Sequence, residues 1–355
     1  SGDLRADVIT GAFQRQLPSG GATGLSRPFD QRPQAGTLAI RYFNDVYLGR
    51  AAQGANDLVL DPANIRDSGL DRLQITTTGL AKVASAIEVR PGGELIISSR
   101  VAEVDAPITV PGGRIAVTTE PRGGVSDSRL SVGSNARLDA SARWVNDSPL
   151  LNPAGATDLL LIDGGSIELD ATGDLTTVAG SSFDVSGGAR LAADGEVVAG
   201  RGGSISITSL GVDGAPTRLD FDSDVQGYAL EQGGVFSLSG GGPIIVGSPG
   251  SAAPGDRVLD AEIFSTGGFS AFDLSTGSLA AITFVEGTQV PVISDNYFLN
   301  ADFSLKASGA RLADIAEVVR LPDFLRRPVD LRLSAGAAPL EVQTGAAILG
   351  DIGGA

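Results

Sequence analysis

The sequence of 355 residues contains no cysteine, no methionine and no histidine, and aromatic residues make up only 5% of it. Without cysteine the chain has neither disulfides nor thiolate metal sites. Without histidine it lacks the commonest general base and the Ser-His-Asp route to nucleophilic catalysis. No apolar run approaches the roughly 20 residues of a membrane-spanning helix. We therefore predict no membrane span and no cofactor.

Positive charge is also scarce. The sequence has 26 basic and 42 acidic residues, which gives a net charge of −16. The only lysines are Lys82 and Lys306, and no basic stripe is present. An acidic chain is repelled by nucleic acid and by anionic lipid, so we predict no nucleic-acid partner. The sequence starts at Ser1 without a charged-then-apolar leader, which we interpret as a processed chain or an internal fragment.

Glycine is abundant, with 49 residues, and Gly-Gly pairs precede stretches in which apolar residues alternate with small polar ones. The pairs lie at residues 92–93, 112–113, 164–165, 202–203, 233–234 and 267–268. In the stretch after Gly203, the apolar residues Ile205 and Ile207 are two positions apart, which is the period of a β-strand. The alternation therefore predicts strands, and the glycines predict the turns between them.

The spacing of the pairs predicts stacked repeats. The first two are 20 residues apart. The third and fourth are 38 apart, interpreted as two units of about 19 with a weaker unit at 182–188. The 52-residue gap before the third pair is interpreted as two units plus an insert. We predict an all-β, right-handed parallel β-helix with non-repetitive ends and a short helix near the C-terminus. A β-sandwich remains the alternative. In the β-helix, Ile96, Ile115, Ile167 and Ile205 should stack inward.

This interpretation divides the chain into three regions. Residues 1–60 are predicted as a loop-rich lead-in with capping strands. Residues 61–290 form the shaft, with loop inserts near 144–158 and 247–256, where proline and glycine break any strand. Residues 291–355 form a decorated C-terminal region. There, apolar positions at helical spacing predict a helix over 311–320, and strands resume at 329–333 and 340–342.

Several segments together carry a resemblance to a known family. They are residues 42–48, residues 138–147, residues 183–188 and the Gly-Gly-Ser-Ile units at 164–167 and 202–205. In these segments the chain resembles the filamentous-haemagglutinin-like adhesins of Gram-negative bacteria, and the similarity runs across most of residues 37–335. The resemblance implies a β-helical fibre, exported by two-partner secretion through a dedicated outer-membrane pore and displayed as a secreted filament on the cell surface.

The resemblance also implies partners. They are neighbouring segments of the filament and a glycan or protein on a host or cell surface. The family's secretion domain carries an Asn-Pro-Asn-Gly motif, whereas the nearest match here, Asn152-Pro153-Ala154-Gly155, lies mid-chain and is imperfect. The chain would therefore belong to the shaft or a distal region.

Two groups of residues are candidate sites. Asp220, Asp222 and Asp224 alternate as they would on one face of a strand and are a candidate Ca²⁺ site. A solvated strand face is the alternative, because the sixth position is Val225 where a calcium loop needs glycine.

The second group surrounds the single tryptophan. Trp144, Asn146 and Asp147 are loop candidates for binding, since an exposed tryptophan near carboxylates stacks on sugar rings. In the alternative, Trp144 fills the base of the insert. With no catalytic constellation in the sequence, we predict a structural or adhesive filament segment and no enzyme. A polysaccharide-binding or polysaccharide-degrading β-helix remains the alternative.

Overall fold

The computed structural model describes residues 27–28, 36–49, 53–122, 127–151, 159–211, 217–247, 256–277 and 279–351. Over these residues the chain is all-β, and its three largest sheets contain only parallel strands. This arrangement is compatible with the predicted solenoid. We call these sheets A, B and C. The chain visits them in turn, and we call each round a coil and the stacked rounds the column. The regions 1–26, 29–35 and 352–355 lie outside the described residues.

Sheet A has nine strands that lie side by side in the order in which the chain reaches them. They are Thr37–Tyr42, Arg72–Thr77, Glu94–Ser99, Arg114–Thr119, Ser166–Ala171, Ser204–Ser209, Val235–Gly240, Ala271–Thr276 and Asp330–Ser334. Most of these strands alternate buried and partly exposed residues, which is the pattern of a sheet with one face on a core.

Sheet B has eleven strands and sheet C has five. Across sheet B, the strands are Leu58–Leu60, Val46–Leu48, Leu80–Val83, Val101–Val104, Arg129–Val132, Asp174–Thr177, Leu219–Asp220, Arg257–Leu259, Ile244–Val246, Ile282–Phe284 and Leu340–Val342. Sheet C contains Ile87–Glu88, Ile108–Thr109, Arg137–Asp139, Ser182–Asp184 and Asp224–Gln226. One contiguous apolar core fills the space that the three sheets enclose.

Smaller elements complete the described chain. They are the pairs Arg27–Pro28 with Leu159–Leu160, Gln289–Val292 with Ala347–Gly350, and Asn296–Leu299 with Ala316–Val319, the three-stranded sheet of Trp144–Asn146, Ala189–Leu191 and Val197–Ala199, the α-helix Pro62–Asp67, and the 3₁₀ turns Ala261–Phe264, Phe303–Leu305 and Leu312–Asp314. No helix among the described residues has the length and apolar character needed to cross a bilayer.

The second glycine of the pairs 112–113, 164–165, 202–203 and 233–234 explains the repeat. The amide of the residue after the pair donates to the corresponding glycine carbonyl of the preceding coil, as in Ser166 N to Gly113 O (2.8 Å) and Ser204 N to Gly165 O (3.0 Å). A Cβ on Gly165 would collide with the Gly113 carbonyl oxygen, and one on Gly203 with the Gly165 oxygen. The coils therefore approach each other too closely at this corner for any side chain.

The predicted length of the repeat needs correction. Arg114–Thr119 pairs directly with Ser166–Ala171, and that strand pairs directly with Ser204–Ser209, so the 52- and 38-residue gaps are each one coil rather than two. The weaker unit predicted at 182–188 is not a separate coil. Its strand, Ser182–Asp184, belongs to sheet C and lies in the coil that begins with Ser166–Ala171. Coil length varies because the connections outside sheet A absorb the extra residues.

The inward stacking prediction is confirmed for three isoleucines and is wrong for the fourth. Ile115, Ile167 and Ile205 lie in register and are fully buried. Ile96 instead pairs with Ala116 on the outer face, and its neighbours Leu95 and Ile97 point inward. Residues 95–97 are all apolar, so alternation alone left the register of this strand open.

The predicted helix over 311–320 is also wrong. The chain makes a single 3₁₀ turn at Leu312–Asp314 and then a strand, Ala316–Val319, which pairs antiparallel with Asn296–Leu299. Leu312 and Ile315 are buried, as the helical spacing suggested, but Val318 and Val319 are β-branched and favour a strand. The strands predicted at 329–333 and 340–342 are present as Asp330–Ser334 and Leu340–Val342.

The two predicted inserts are only partly described. Trp144–Asn146, at the start of the first, is a strand rather than a loop, and residues 152–158 lie outside the described residues. The second insert falls largely on residues 248–255, which also lie outside them. Sheet A runs from Thr37 to Ser334 and so passes beyond both ends of the region predicted as shaft.

Candidate functional site

Trp144 lies under a side hairpin, which we define as residues 296–319. The indole is fully buried, meets the Phe303 ring edge-on at 5.9 Å between centroids, and donates from Nε1 to the Lys306 carbonyl (3.1 Å). The backbone joins the contact, because Trp144 N donates to Ala310 O (2.8 Å) and Gly309 N donates to Trp144 O (2.9 Å). The hairpin therefore adds itself to the free edge of the Trp144–Asn146 strand.

Asn146 and Asp147 belong to the same contact. Asn146 Nδ2 donates to the carbonyls of Ser304 (3.0 Å) and Lys306 (2.8 Å). The Asp147 carboxylate accepts from Arg190 Nε at 2.6 Å, and both Asn146 and Asp147 are buried. The structure thus places the three predicted binding residues together, but Trp144 and Asn146 hold the side hairpin and Asp147 pairs with Arg190. Their side chains are buried and offer no open surface for a ligand.

Two aspartates close by mark the ends of sheet C strands. Asp139 Oδ1 accepts from Ser141 N (2.9 Å), and Asp184 Oδ1 accepts from Ser186 N (2.8 Å), so each Asp-x-Ser segment turns the chain out of the sheet. Asp139 and Asp184 are direct neighbours across the sheet. Burial raises the pKa of Asp184, and the negative charge of Asp139 adds to the rise. These carboxylates therefore serve the local fold.

Asp220, Asp222 and Asp224 do not share one strand face. Asp220 ends a sheet B strand and pairs with Arg218, Asp222 lies at the corner, and Asp224 begins a sheet C strand. In the part of the chain that the structure describes, no group of three or more carboxylates is close enough to hold a metal ion. Asp222 and Asp224 instead line one side of a surface cleft.

The C-terminal end of the column has an uncovered apolar layer. The last strands place Leu340 over Ile282, Val342 over Phe284 and Ile348 over Val290. The lower residues are fully buried, whereas Leu340, Val342 and Ile348 are 51%, 52% and 39% exposed. We call these three residues, with Leu331 and Leu333 from sheet A, the end layer. Its strands are the last of sheets A and B and of the Gln289–Val292 pair.

The N-terminal end differs, because its inward residues are covered. The strand Leu58–Leu60 lies outside Val46–Leu48, and the helix Pro62–Asp67 packs near the first sheet C strand. Asp61 caps this helix by accepting from Ala63 N (2.8 Å), and Ile65 enters the core. Leu58, Leu60 and Ile65 are at most 8% exposed. Among the residues that the structure describes, the column therefore has one covered end and one uncovered end.

The sequence pattern predicts the end-layer strands at 329–333 and 340–342, but neither the strand Ala347–Gly350 nor the exposure of the layer. Alternation marks Leu331 and Leu333, and Leu340 and Val342, as inward residues. Whether inward residues are covered depends on what the next layer supplies, which strand periodicity does not encode. No family model, curated protein or solved structure matched the chain. Its function must therefore be argued from its own sequence and structure.

Proposed function

We propose that this chain is a structural segment of a filament, folded as a right-handed parallel β-helix. Three parallel sheets around one core, two of them with their strands in chain order, support the helix. Nearly all parallel crossovers in proteins are right-handed, which supports the hand. The segment's role is to extend the column and to present its side loops for contact.

The end layer is the observation that carries this proposal. Uncovered apolar side chains and free strand edges invite pairing with further strands, and soluble proteins usually block such edges. A further coil in the same register would cover Leu340, Val342 and Ile348 as these residues cover Ile282, Phe284 and Val290. The end layer is therefore the docking face for the next coil of the filament.

Ion pairs between coils on the outer surface support a structural role. On sheet A, Arg114 contacts Glu94 of the preceding coil (3.8 Å) and makes two hydrogen bonds to Glu168 of the following coil (2.8 and 2.5 Å). On sheet B, Lys82 reaches Glu103 of the next coil at 2.7 Å. These pairs join successive coils, so the acidic side chains within them hold the column together.

Location and partners rest on the family resemblance. We propose display on the surface of a Gram-negative bacterium after export through an outer-membrane pore, with attachment to a glycan or protein of a host or cell surface. Adhesion of the purified chain to cells or immobilised glycans, above an unrelated acidic protein, is the expected result. Absence of attachment on every surface would contradict the adhesive part of the proposal.

The docking face is tested by self-association. Sedimentation velocity of the 355-residue chain should show a concentration-dependent dimer, because the isolated end layer of one chain pairs with that of another. Val342→Lys should shift the chain to monomer, whereas Glu341→Lys, on the outer side of the same strand, should not. Both side chains are already exposed, so neither change threatens the fold. A monomeric parent chain, or equal behaviour of the two variants, would contradict the docking face.

The alternative function is action on polysaccharide, which the cleft beside Asp222 and Asp224 favours because it combines carboxylates with aromatic side chains. Reducing-sugar release from uronate and neutral polysaccharides tests it. We expect no release. Activity that disappears in Asp222→Asn and Asp224→Asn would replace the structural role with an enzymatic one.

A further inference from the structure

The cleft lies where sheet C ends. Asp224–Gln226 is the last strand of that sheet, and in the next coil the 3₁₀ turn Ala261–Phe264 takes the place of a sixth strand. The chain closes one end of the gap, because Gly227 N donates to Gly267 O (2.7 Å). What remains is an open groove of about 330 Å³, near the lower size limit of ligand sites in proteins. We call it the sheet C groove.

The floor of this groove is apolar and well supported. Val225 and Leu259 are buried in the core, and Phe221 packs between the rings of Phe183 and Phe236 at 5.9 Å from each. Tyr228 adds an aromatic wall, fixed by its hydroxyl, which accepts from Gly267 N at 3.1 Å. The floor thus keeps its shape and has apolar surface to bury against a ligand.

The rim of the groove is acidic. Asp222, Asp224, Asp260 and Glu262 line it, all four are exposed, and no Lys or Arg is among the described residues that line it. None of the four forms an ion pair with a described residue, in contrast to Glu94 and Glu168 on sheet A. The four carboxylates do not gather around a point that a metal ion would occupy. An extended organic cation complements this distribution better than a single ion.

We propose that the sheet C groove binds a segment of a partner protein that carries a lysine or arginine next to an apolar residue. The ammonium or guanidinium group lies among the rim carboxylates, and its aliphatic stem and the apolar neighbour cover Phe221, Val225 and Tyr228. Charge complementarity identifies this occupant, because a uronate-bearing glycan would meet only like charge at the rim. The site is independent of the docking face at the end of the column.

The proposal is tested with a fluorescent peptide, Gly-Leu-Lys-Leu-Gly with both ends blocked, and the complete chain. The neutral analogue has norleucine in place of lysine. We expect the lysine peptide to bind, the norleucine peptide to bind at least about five-fold more weakly, and added salt to reduce the difference. The backbone amides of Val225 and Gly267 should shift in NMR spectra on binding. Equal affinity for both peptides, or no binding of either, would overturn the proposal.

Two double variants separate the groove from the general negative charge of the chain. Asp224→Asn with Glu262→Gln should weaken the lysine peptide about five-fold, because it removes two rim charges without changing size. Asp194→Asn with Glu196→Gln removes the same charge from an exposed turn elsewhere and should leave binding unchanged. Equal weakening by both variants, or displacement of the peptide by a neutral oligosaccharide, would count against a cationic peptide site.

Discussion

One amide side chain contributes to the attachment of the side hairpin, and Asn146→Ala should loosen it. The change removes hydrogen bonds to the Ser304 and Lys306 carbonyls and the Oδ1 acceptor of Ser148 N. Lys306 O keeps the Trp144 indole as a donor. Ser148 lies outside the side hairpin, so Ser304 O is the hairpin group that loses its bond to Asn146. At about 1–2 kcal/mol for a group left without its bond, docking weakens by about 1–2 kcal/mol.

Hydrogen exchange measures this loss directly. The Gly309 amide donates to Trp144 O, so it exchanges only when the hairpin lifts from the strand. A loss of about 1–2 kcal/mol accelerates its exchange by about 5- to 30-fold. Trp144 is the only tryptophan, so its fluorescence should shift to longer wavelength and become more open to quenching. Ser148→Ala, which keeps the Asn146 bonds, is the matched control.

Two outcomes would refute this reasoning. The first is an unchanged Gly309 exchange rate in Asn146→Ala. The second is acceleration of Gly309 together with the Ile205 amide of sheet A, which would mean that the hairpin opens only when the column unfolds.

Two further predictions concern the column itself. Ile205→Asp should lower the free energy of unfolding by several kcal/mol because it buries an unpaired charge, while Ser206→Asp on the outer face should cost less than about 0.5 kcal/mol. Similar thermal midpoints for the two variants would show that the inward and outward residues of this strand are assigned wrongly. The hydrogen bonds from Arg114 lower the pKa of Glu168, so this carboxylate stabilises the fold above its unfolded pKa of about 4.3 and loses that effect as pH falls through the lower folded value. Glu168→Gln should therefore reduce the loss of stability between neutral and acid pH in urea titrations, and an unchanged pH dependence would contradict the pairing.

The regular part of this fold was predictable because one local rule repeats. A Gly-Gly pair marks the corner where the coils touch, and the alternation after it sets which residues face inward, as at Ile167 and Ile205. The rule failed at residues 95–97, where three apolar residues in a row carry no alternation. It also failed for coil length, because connections of any length fit outside the sheets without changing the register.

The candidate sites were less predictable because they depend on contacts between distant residues. The partners of Trp144 lie at Phe303 and Lys306, about 160 positions along the chain, and no local pattern links them. The spacing over 311–320 correctly marked Leu312 and Ile315 as buried. The segment 316–319 is nevertheless a strand, because it pairs with Asn296–Leu299. The sheet C groove exists because one strand is replaced by a 3₁₀ turn.

Stacking of the coils is the central claim, and distances between spin labels along sheet A test it most directly. Gln74, Ser237 and Arg332 occupy one row of the outer face, with Ser237 five strands and Arg332 seven strands from Gln74. At about 4.8 Å per strand, the backbones at residues 74 and 237 lie about 24 Å apart, and those at 74 and 332 about 34 Å apart. Double electron–electron resonance on two doubly labelled variants, one with labels at 74 and 237 and one with labels at 74 and 332, should give distance distributions centred near these values. Distances that fail to increase from the first pair to the second would contradict a column of stacked coils.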